Sequence, residues 1–400
     1  MRVVVVHNRY RSAAPSGENR VADQESEALV ADGHVVERFE RVSDDIETWT
    51  PLRRGLVPLQ VVWSDEARRS LTATLRRFRP EVVHIHNTFP LLSPSVLYAC
   101  RSAQVPAVTT IHNYRLLCAS GDLFRNGAVC HACVGRTVPW PAMLHRCYRG
   151  SAAATTPVVV SMTAHRHAWR TLVSAHIFLS EAQRRRYAPL GLPADRVFVK
   201  PNLVPDVAAG TLVREHFVTY PGRLDKAKGV PLLMEAWDRF SAQSTHGLRL
   251  MIAGGGPLEE EVNKWAASRP SVTALGILDS SECSKLVARS RAVILPSTWE
   301  ETFGLVAIEA MAAGVPAVAA AHGSFPELID DGTSGVLFAP GSAEALCRVL
   351  RDIDTDPARF ENYGGNARRR YEERFDPEVN LQQLLDIYRF AVDRPIAGSN

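Results

Sequence analysis

The chain has 400 residues, more than one ordinary hydrophobic core supports, and this length predicts two domains. Hydrophobic residues make up 46% and charged residues 22% of the sequence, as in folded water-soluble proteins. No apolar run reaches the roughly 18 residues that span a bilayer, which excludes a protein built from membrane-spanning helices.

The net charge of +3 hides a difference between the two halves. Residues 1–200 contain 26 Lys and Arg against 16 Asp and Glu, whereas residues 201–400 contain 20 against 27. A basic half predicts an anionic partner, such as a phosphate or a lipid headgroup, and peripheral contact with the inner face of a membrane. The simpler alternative is that these arginines only keep helix surfaces hydrated. The sequence contains no motif of interleaved basic and aromatic residues, so nucleic acid is not expected as a partner.

The chain begins with a short β-branched run and lacks the cleavage site of a signal peptide, so we expect a cytoplasmic protein. Short β-branched runs then alternate with helical stretches, a pattern typical of parallel sheets covered on both faces. Ten strands are predicted, and they divide into two doubly wound, Rossmann-like sheets: 3–7, 82–86, 107–111, 175–179 and 196–200, then 217–220, 249–253, 292–295, 317–319 and 335–338. Because such sheets bind ligands outside the carboxyl ends of their strands, the residues after each strand are the candidates for chemistry.

Residues 201–205 contain two prolines and an asparagine, which predict a stiff, extended connector between the two sheets. We therefore predict an N-terminal domain over residues 1–200 and a C-terminal domain over residues 201–377, facing each other across a cleft. Residues 378–400 carry apolar residues at helical spacing, which predicts a helix that packs back on the N-terminal domain.

Two glycine-containing turns follow strands of the second half. One contains Gly222, Arg223 and Lys228, whose guanidinium fork and ammonium suit a single diphosphate. The other is the run Gly254-Gly255-Gly256, where a helix begins and the backbone can approach a phosphorylated ligand. Taken alone, each turn is equally explained as an ordinary connection between a strand and a helix.

Two carboxylates stand in or beside an otherwise apolar helix of the second half. The helix is predicted to begin near Phe303 and Gly304, so its first backbone N–H groups and its dipole favour an anion. Glu301 stands just before this start, and Glu309 lies about one and a half turns inside it and leans toward it. Sugar or ribose hydroxyls would satisfy both carboxylates. The alternative for Glu309 is a buried ion pair with an arginine.

Glu301 and Glu309 match the E-x7-E pattern of the retaining family-4 glycosyltransferases, enzymes of the GT-B fold. The turn with Arg223 and Lys228 resembles the phosphate-binding motif of the same family, and Pro201-Asn202 resembles its domain linker. The segment that begins at Gly323-Ser324 resembles the family's G-G-x-P-E segment, with serine in place of the second glycine. Nearly the whole chain takes part in this resemblance.

The resemblance implies a role for each matching residue. Arg223 and Lys228 would neutralise the diphosphate of a nucleoside-diphosphate sugar, Glu301 would hold hydroxyls of the transferred sugar, and Glu309 would bind the ribose. Further donor contacts would fall on Gly222, Gly254, Gly255, Gly256, Phe303, Gly304 and Leu305.

The resemblance also assigns two positions of the first half. His112, which follows the strand 107–111, would sit beside the donor sugar and be needed for transfer. In the loop 15–19 the family's two glycines are Ser16 and Gly17, and Gly17 is the candidate for a phosphate contact. His84 and His86 share one face of the strand 82–86, and we interpret both as structural.

Four of the seven cysteines cluster in the first half with the spacing C-x11-C-x2-C-x13-C: Cys118, Cys130, Cys133 and Cys147. Disulfides are not expected in the cytosol, and four thiols around a central C-x2-C predict a structural zinc site in an insertion over residues 115–150. Because the outer spacings are looser than in a standard zinc ribbon, thiols without metal are the alternative. The insertion also resembles that of a bacterial subgroup of the family.

These observations predict transfer of a sugar, with retention, from a nucleoside-diphosphate sugar to an unknown sugar, small-molecule or lipid-linked acceptor. No cofactor is expected for catalysis, because Arg223, Lys228 and the helix amides meet the charge of the leaving diphosphate. The first half offers no obvious catalytic carboxylate, which fits the front-face route proposed for the family. The alternatives are a nucleotide-sugar epimerase of the same fold and a catalytically silent nucleotide-sugar-binding protein. Asp352 and Asp354 form a D-x-D pair, interpreted as a solvated helix end.

Overall fold

The computed structural model describes residues 1–12, 16–206, 213–244 and 246–394. The chain divides into two compact units, of which the first comprises Met1–Leu123, Cys130–Leu203 and Glu378–Asn400 and the second comprises Phe124–Val129 and Val204–Pro377. Pro15, in the predicted glycine-containing loop, and residues 395–400, in the predicted C-terminal segment, lie outside the described residues.

Each unit is built on one six-stranded sheet, and a short hairpin adds two further strands within the described residues. The strands in chain order are β1 Arg2–Arg9, β2 Val35–Val42, β3 Val82–Asn87, β4 Ala107–Ile111, β5 Phe124–Arg125, β6 Ala128–Val129, β7 Ala175–Phe178, β8 Val197–Val199, β9 Phe217–Pro221, β10 Arg249–Ala253, β11 Val272–Gly276, β12 Ala292–Leu295, β13 Ala317–Ala320 and β14 Gly335–Phe338.

Helices connect nearly all of these strands. They are α1 Gly17–Ala31, α2 Asp45–Thr48, α3 Pro51–Gly55, α4 Val57–Val62, α5 Asp65–Phe78, α6 Ser95–Ala103, α7 Pro141–Leu144, α8 Ala152–Ala164, α9 Arg166–Thr171, α10 Glu181–Tyr187, α11 Val230–Ser241, α12 Glu259–Ala267, α13 Ser280–Arg289, α14 Leu305–Ala312, α15 Phe325–Leu328, α16 Ala343–Thr355, α17 Pro357–Arg374 and α18 Pro377–Asp393, with 3-10 turns at Ala188–Leu190 and Ala194–Arg196. None of the helices in the described ranges is both long and apolar enough to cross a bilayer.

The sheet of the first unit has the order β2-β1-β3-β4-β7-β8, and all neighbouring strands are parallel. Its central strand β1 is a run of valines that is buried on both faces, as expected for a strand covered by helices on each side. The C-terminal helix α18 covers one face, where Leu384 and Tyr388 pack in one cluster with Val3, Val5 and Ile177. The end of the chain therefore completes the core of the first unit.

The sheet of the second unit has the order β11-β10-β9-β12-β13-β14 and is also entirely parallel. The order of the strands reverses between β9 and β12, which is the point where open sheets of this kind bind ligands. The amphipathic helices α11 and α16 pack on it through Trp237, Phe240 and Leu350, which are buried almost completely. This core holds the carboxyl ends of β9 and β12 side by side.

The predicted fold class, two Rossmann-like parallel sheets of the GT-B type, is confirmed by this topology. All ten predicted strands are present, but the sequence missed the hairpin strands β5 and β6 and the sheet strands β2 and β11. β2 and β11 lie at the edge of a sheet and have a single fully buried residue each, so neither carries the uninterrupted apolar run by which the buried strands were recognised.

The interpretation of the D-x-D pair as a solvated helix end was wrong for Asp354. Its carboxylate is buried and accepts hydrogen bonds from His216 Nε2 at 3.0 Å, the Ser244 hydroxyl at 2.7 Å and the Leu248 N–H at 3.2 Å. Asp354 therefore holds the end of α16 to the segments on either side of residue 245. A buried carboxylate needs hydrogen-bond donors of this kind.

Candidate active site

Two loops meet at the carboxyl ends of β9 and β12, the strands on either side of the order reversal. The first follows Pro221 and carries Arg223 and Lys228; the second follows Leu295 and leads to Glu301. Thr298 joins them, because its N–H donates to the Ala227 carbonyl at 2.8 Å and its hydroxyl donates to the carbonyl of the preceding Lys226 at 2.9 Å. The two predicted motifs are thus parts of one local structure.

Lys228 and Glu301 form an ion pair at this edge. The Lys228 ammonium donates to Glu301 Oε1 at 2.6 Å, and the Ser297 hydroxyl donates to the same oxygen at 2.7 Å. Burial raises the pKa of Glu301, but the charge of Lys228 and the hydrogen bonds from Lys228 and Ser297 outweigh burial, and the net pKa lies below its usual value. Glu301 is therefore ionised at neutral pH, while the Lys228 side chain keeps 33% of its surface exposed.

Asp225 organises the turn that carries both basic residues. Its carboxylate pairs with the Arg223 guanidinium and accepts a hydrogen bond from the Lys228 N–H at 2.8 Å. The Arg223 side chain itself is 59% exposed, so it can turn toward a ligand at little cost. The sequence prediction missed Asp225, although an Asp that binds a backbone N–H a few residues later is a common turn signal.

The run Gly254-Gly255-Gly256 follows β10 and packs against the turn that begins at Gly222. Gly254 has φ +148°, and a Cβ atom there would lie 1.9 Å from the Gly222 carbonyl oxygen. A Cβ atom at Gly256 would lie 2.6 Å from the Leu224 carbonyl oxygen. The glycines at 254 and 256 are therefore required for the close approach of these two backbones, and the predicted ligand contact of the run stays a prediction.

The helix after Glu301 begins as predicted at Leu305, with Gly304 as its N-cap. Gly304 has φ +87°, and a Cβ atom there would lie 2.7 Å from Cε1 of Phe325, so glycine is required both by conformation and by space. Phe303 is buried and anchors the turn, and Glu309 lies half-buried inside the helix. The first N–H groups of the helix lie beside Glu301 in sequence, where a helix leaves donors for an anion.

Gly323 and Ser324 support the loop that holds Glu301. The Ser324 hydroxyl donates to the Phe303 carbonyl at 2.7 Å, and the Ser324 N–H donates to the Glu301 carbonyl at 3.0 Å. A Cβ atom at Gly323 would lie 2.6 Å from the Glu301 backbone nitrogen. The serine that replaces the second glycine of the family segment therefore binds the Glu301 loop directly.

The first unit brings His112 together with His86 at the carboxyl ends of β4 and β3. His86 Nδ1 lies 3.0 Å from His112 Nε2, and the two rings stack with centroids 5.2 Å apart. Both residues are buried, and burial lowers the pKa of His86 well below 6.5 and that of His112 to about 3. Both imidazoles are therefore neutral at physiological pH, and His86, interpreted from the sequence as structural, contacts the predicted catalytic histidine.

Behind His86 lies a buried ion pair that the sequence did not predict. The Lys200 ammonium donates to Glu25 Oε1 at 2.9 Å, and Glu25 Oε2 lies 3.5 Å from His86 Nε2. Burial raises the pKa of Glu25, but the charge and the hydrogen bond of the Lys200 ammonium counteract burial, and the net pKa lies below its usual value. The ion pair joins α1 to the end of β8, 175 residues apart in the chain.

Glu25, His84 and His86 are the one group in the described ranges whose potential metal ligands all lie within 4.8 Å of one another. Three contacts argue against a metal ion there. The Lys200 ammonium already neutralises Glu25, and both ring nitrogens of His84 have partners, with Tyr388 Oη at 2.7 Å and Thr110 Oγ1 at 2.8 Å. Glu25 Oε1 and both nitrogens of His84 are therefore engaged in hydrogen bonds.

The four cysteines of the predicted zinc site do not form such a group in the described chain. All seven cysteines are described, and none forms a disulfide. Burial, with smaller contributions from Cys118, Cys147 and Cys130, raises the pKa of the Cys133 thiol to about 11. The thiols are thus neighbours, without the tight arrangement of a closed zinc site.

Glu18 is a further candidate that the sequence prediction missed. It lies in the first turn of α1, next to Gly17, and Ser16 caps this helix by accepting the Glu18 N–H at 3.2 Å. Its Oε1 accepts a hydrogen bond from Asn113, the residue after His112, at 2.8 Å. Burial raises the pKa of Glu18 to about 7, because Asn113 and Tyr10 offset burial only in part. A carboxyl group that titrates near neutrality therefore stands beside the His112 loop.

This topology of two parallel-sheet units is the GT-B fold, which solved structures share. Two family models match consecutive parts of the chain: Glycosyltransferase Family 4 matches residues 15–206, and glycosyl transferases group 1 matches residues 209–370. The chain therefore belongs to the GT-B glycosyltransferases.

Among curated relatives, glycogen synthase of Mycobacterium tuberculosis is 35% identical over 173 residues, which cover 42% of this chain and 41% of the relative. The chain thus spans less than half the length of this relative. Among solved structures, Anabaena HepE in complex with UDP-glucose superposes with a TM-score of 0.66 at 19% identity, over 96% of this chain and 98% of that one. Sucrose-phosphate synthase of Thermosynechococcus elongatus superposes with a TM-score of 0.70 at 18% identity, over 97% and 98% of the two chains.

Proposed function

We propose that the protein is a retaining glycosyltransferase that moves a sugar from a nucleoside-diphosphate sugar to an acceptor without a catalytic metal. The observation that carries this proposal is the Lys228 to Glu301 ion pair, built at the strand-order reversal next to the start of α14. A cation for the diphosphate and a carboxylate for sugar hydroxyls are the two groups that such a donor needs at its reacting centre.

Donor binding would exchange contacts within the protein for contacts with the ligand. Lys228 would move from Glu301 to the diphosphate, and Arg223 would move there from Asp225. Both side chains keep exposed surface, so this exchange costs less than it would for a fully buried pair. Glu301, which stays ionised, would accept hydrogen bonds from hydroxyls of the transferred sugar, and Glu309 would bind the ribose.

The transfer breaks the bond between the anomeric carbon and the diphosphate oxygen and forms a bond from the same face of that carbon to the acceptor oxygen. The diphosphate leaves with the electron pair, and one of its oxygens takes the proton of the acceptor hydroxyl. Arg223, Lys228 and the first amides of α14 would stabilise the charge that develops on the leaving group. His112 would contact the transferred sugar.

The search for the donor nucleotide is best begun with UDP sugars, because HepE, which shares the fold, binds UDP-glucose. Thermal-shift measurements with UDP, GDP and ADP sugars should single out one nucleotide, because a ligand that binds only the folded state raises the melting temperature. A Lys228→Met variant should lose that shift. If no nucleotide sugar shifts the melting temperature of the wild-type protein, the proposed donor site is wrong.

An anionic or lipid-linked acceptor is supported by the first unit. The segments that follow β1, β2 and β3 contribute Arg11, Glu47 of α2 and Pro90 to a cavity of about 300 Å³ with mainly apolar walls. Arg54 and Arg149 also line it, so cations outnumber anions in its wall. An acceptor with an apolar body and a phosphate fits that chemistry. Binding to anionic vesicles at low salt tests the predicted membrane contact, which would be wrong if neutral and anionic vesicles gave the same result.

Two alternatives predict different products. An epimerase would convert the nucleotide sugar without an acceptor, whereas a transferase releases nucleotide at a rate that depends on the added acceptor. A silent binding protein would bind the donor tightly and turn over none of the acceptors offered. Glu301→Ala separates binding from chemistry, because it should abolish transfer and keep the fold.

The predicted structural zinc remains a proposal. It is supported by the proximity of Cys118, Cys130 and Cys147 to Cys133, whose pKa they help burial to raise. Zinc content of the purified protein, measured by plasma mass spectrometry, should be near one per chain and should fall in a Cys130→Ser, Cys133→Ser variant. Cys283→Ser, a cysteine outside this group, is the matched control, and equal metal content in all three proteins would contradict the proposal.

A further inference from the structure

The first unit contains a continuous buried chain of polar groups that ends at His112. It runs from Lys200 through Glu25 and His86, and each of these side chains is at least nine-tenths buried. We propose that Lys200, Glu25 and His86 are positioning residues, which place the proton of His112 on Nε2 and leave Nδ1 as the basic nitrogen of the ring. This inference rests on the proposed function for its catalytic consequence, but the proton position can be measured without it.

The direction of each hydrogen bond in this series of polar groups follows from which atoms can donate. Lys200 has only donors, so Glu25 Oε1 is an acceptor, and Glu25, held ionised, has only acceptors. Glu25 Oε2 and His86 Nε2 have no hydrogen-bond partner within the described residues, but they lie 3.5 Å apart, so the His86 proton is best placed on Nε2, where it faces the carboxylate. His86 Nδ1 is then an acceptor, and His112 Nε2, 3.0 Å away, must carry the proton of that hydrogen bond.

The charges around the chain agree with this arrangement. The groups that face Glu25 and the two histidines are Lys200 from the end of β8, His84 from β3, His7 from β1 and Tyr388 from α18. His84 and His7 are neutral, because burial lowers the pKa of each, and burial raises the pKa of Tyr388, so its phenol keeps its proton. Among these groups of the described chain, Lys200 is the cation and Glu25 the anion, and their charges cancel.

The consequence for function lies in the fixed tautomer of His112. A neutral imidazole exists in two tautomers, and only one of them leaves Nδ1 as an acceptor. A hydrogen-bonded partner on the far nitrogen selects the tautomer, as outer partners do for histidines in metal sites, where their loss typically costs about 10- to 100-fold in activity or affinity. The ion pair stays in place because neither charged group can move away without leaving the other buried and unpaired.

The test compares two histidines at equivalent depth. His86→Leu removes the link between Glu25 and His112 and leaves the ion pair intact. His176→Leu is the matched control, because His176 is a fully buried strand histidine of the same sheet. It contacts Thr109 Oγ1 at 3.1 Å and is not part of the series from Lys200 to His112. Long-range proton–nitrogen NMR spectra report the tautomer of His112 in each protein, and steady-state kinetics report kcat and the KM of the donor.

We expect the His112 signals of the wild type and of His176→Leu to show the Nε2–H tautomer. In His86→Leu they should show a mixture, with kcat reduced about 10- to 100-fold and the donor KM changed less than about twofold. An unchanged tautomer in folded His86→Leu, or an equal loss of kcat in both variants, would overturn the proposal. Should no transfer activity exist, the tautomer measurement still decides, so failure of the proposed function is distinguished from failure of this inference.

A second pair of variants removes the charges together, so that folding does not depend on an unpaired buried ion. Glu25→Leu with Lys200→Met replaces the pair by apolar groups, whereas Glu25→Gln with Lys200→Met restores an acceptor oxygen without charge. We expect the first double variant to lose the Nε2–H preference of His112 and the second to recover it. The opposite result, or no difference between the two, would show that Glu25 does not set the tautomer.

Discussion

Each unit has a cluster of charged side chains near the carboxyl ends of its strands, yet the electrostatics of the two clusters differ. In the second unit, Lys228 and Arg223 keep 33% and 59% of their side chains exposed and pair with Glu301 and Asp225. In the first unit, Lys200 and Glu25 are both buried to 98%, and the histidines around them are neutral. One cluster holds charges that can change partners, and the other holds charges that cannot.

This difference separates groups that bind ligands from groups that position them. Lys228 and Arg223 are partly exposed although their partners Glu301 and Asp225 are buried, so these cations can exchange a carboxylate for a diphosphate more easily than a fully buried cation could. Removing one partner of a buried pair costs about 3–5 kcal/mol, so we expect Lys200 and Glu25 to stay together throughout the proposed reaction cycle. Mutations should therefore act on donor binding in the second unit and on geometry in the first.

The largest effect is expected for Glu301→Ala. Its carboxylate is the anion of the proposed donor site, and its loss should lower kcat about 10²- to 10³-fold, as the loss of one preorganised electrostatic contact typically does. The melting temperature should change little, because Lys228 is left in contact with water. The control is Glu260→Ala, an 84% exposed partner of Lys264, and similar kcat values in the two variants would remove Glu301 from the site.

Lys228→Met should weaken donor binding about 10- to 100-fold, because one charge-assisted contact with a phosphate is worth about 1.5–3 kcal/mol. It also removes the cation that lowers the pKa of Glu301, so burial should then raise that pKa above its usual value. Calorimetric titration with the preferred nucleotide measures the first effect. An unchanged dissociation constant would mean that Lys228 binds Glu301 only.

Gly304→Ala should destabilise the protein by about 1–3 kcal/mol, because alanine would adopt φ +87° and its Cβ would press on Phe325. Gly365→Ala is the matched control, since Gly365 lies exposed inside α17 with nothing within 4 Å of its added Cβ, and there alanine should be neutral or slightly stabilising. Chemical denaturation measures both. Equal free energies of unfolding would contradict the tight packing at the start of α14.

The smallest effect concerns the pH dependence that Glu18 produces in the first unit. Its pKa rises from 4.5 to about 7 on folding, so the folded state binds the proton more tightly than the unfolded state does. This contribution to stability is fully present below pH 4.5 and is lost as the pH rises toward 7, by about 1–2 kcal/mol after allowance for partial exposure. Glu18→Gln should flatten that part of the stability curve, and parallel curves for both proteins would contradict the buried carboxyl.

Much of the fold could be predicted from the sequence because buried parallel strands are short apolar runs between helices. The edge strands β2 and β11 were missed because their exposed faces carry charged and polar residues. In the proposed donor site, Arg223, Lys228 and Glu301 stand in the loops that follow two neighbouring strands, β9 and β12, so local sequence sufficed to nominate them.

The rest of the candidate site depends on distances in space that no local pattern encodes. Glu25 reads as one more acidic residue of α1, and only the fold brings Lys200 to it. Glu18 and Asn113 meet across 95 residues of sequence. The four cysteines are the opposite case, in which a sequence pattern exists but the spatial arrangement does not follow from it. In the described chain, their spacing does not by itself bring four sulfurs to the distances of a closed metal site.

The most direct test of the donor site is calorimetric titration of UDP, GDP and ADP into three proteins: the wild type, Arg223→Ala with Lys228→Met, and the control Arg239→Ala with Lys264→Ala, whose cations pair on exposed helices. One nucleotide should bind the wild type and the control equally and bind the first double variant at least about 100-fold more weakly, as expected for two lost phosphate contacts. Binding of equal strength in all three proteins, or no binding to the wild type, would contradict the proposed donor site.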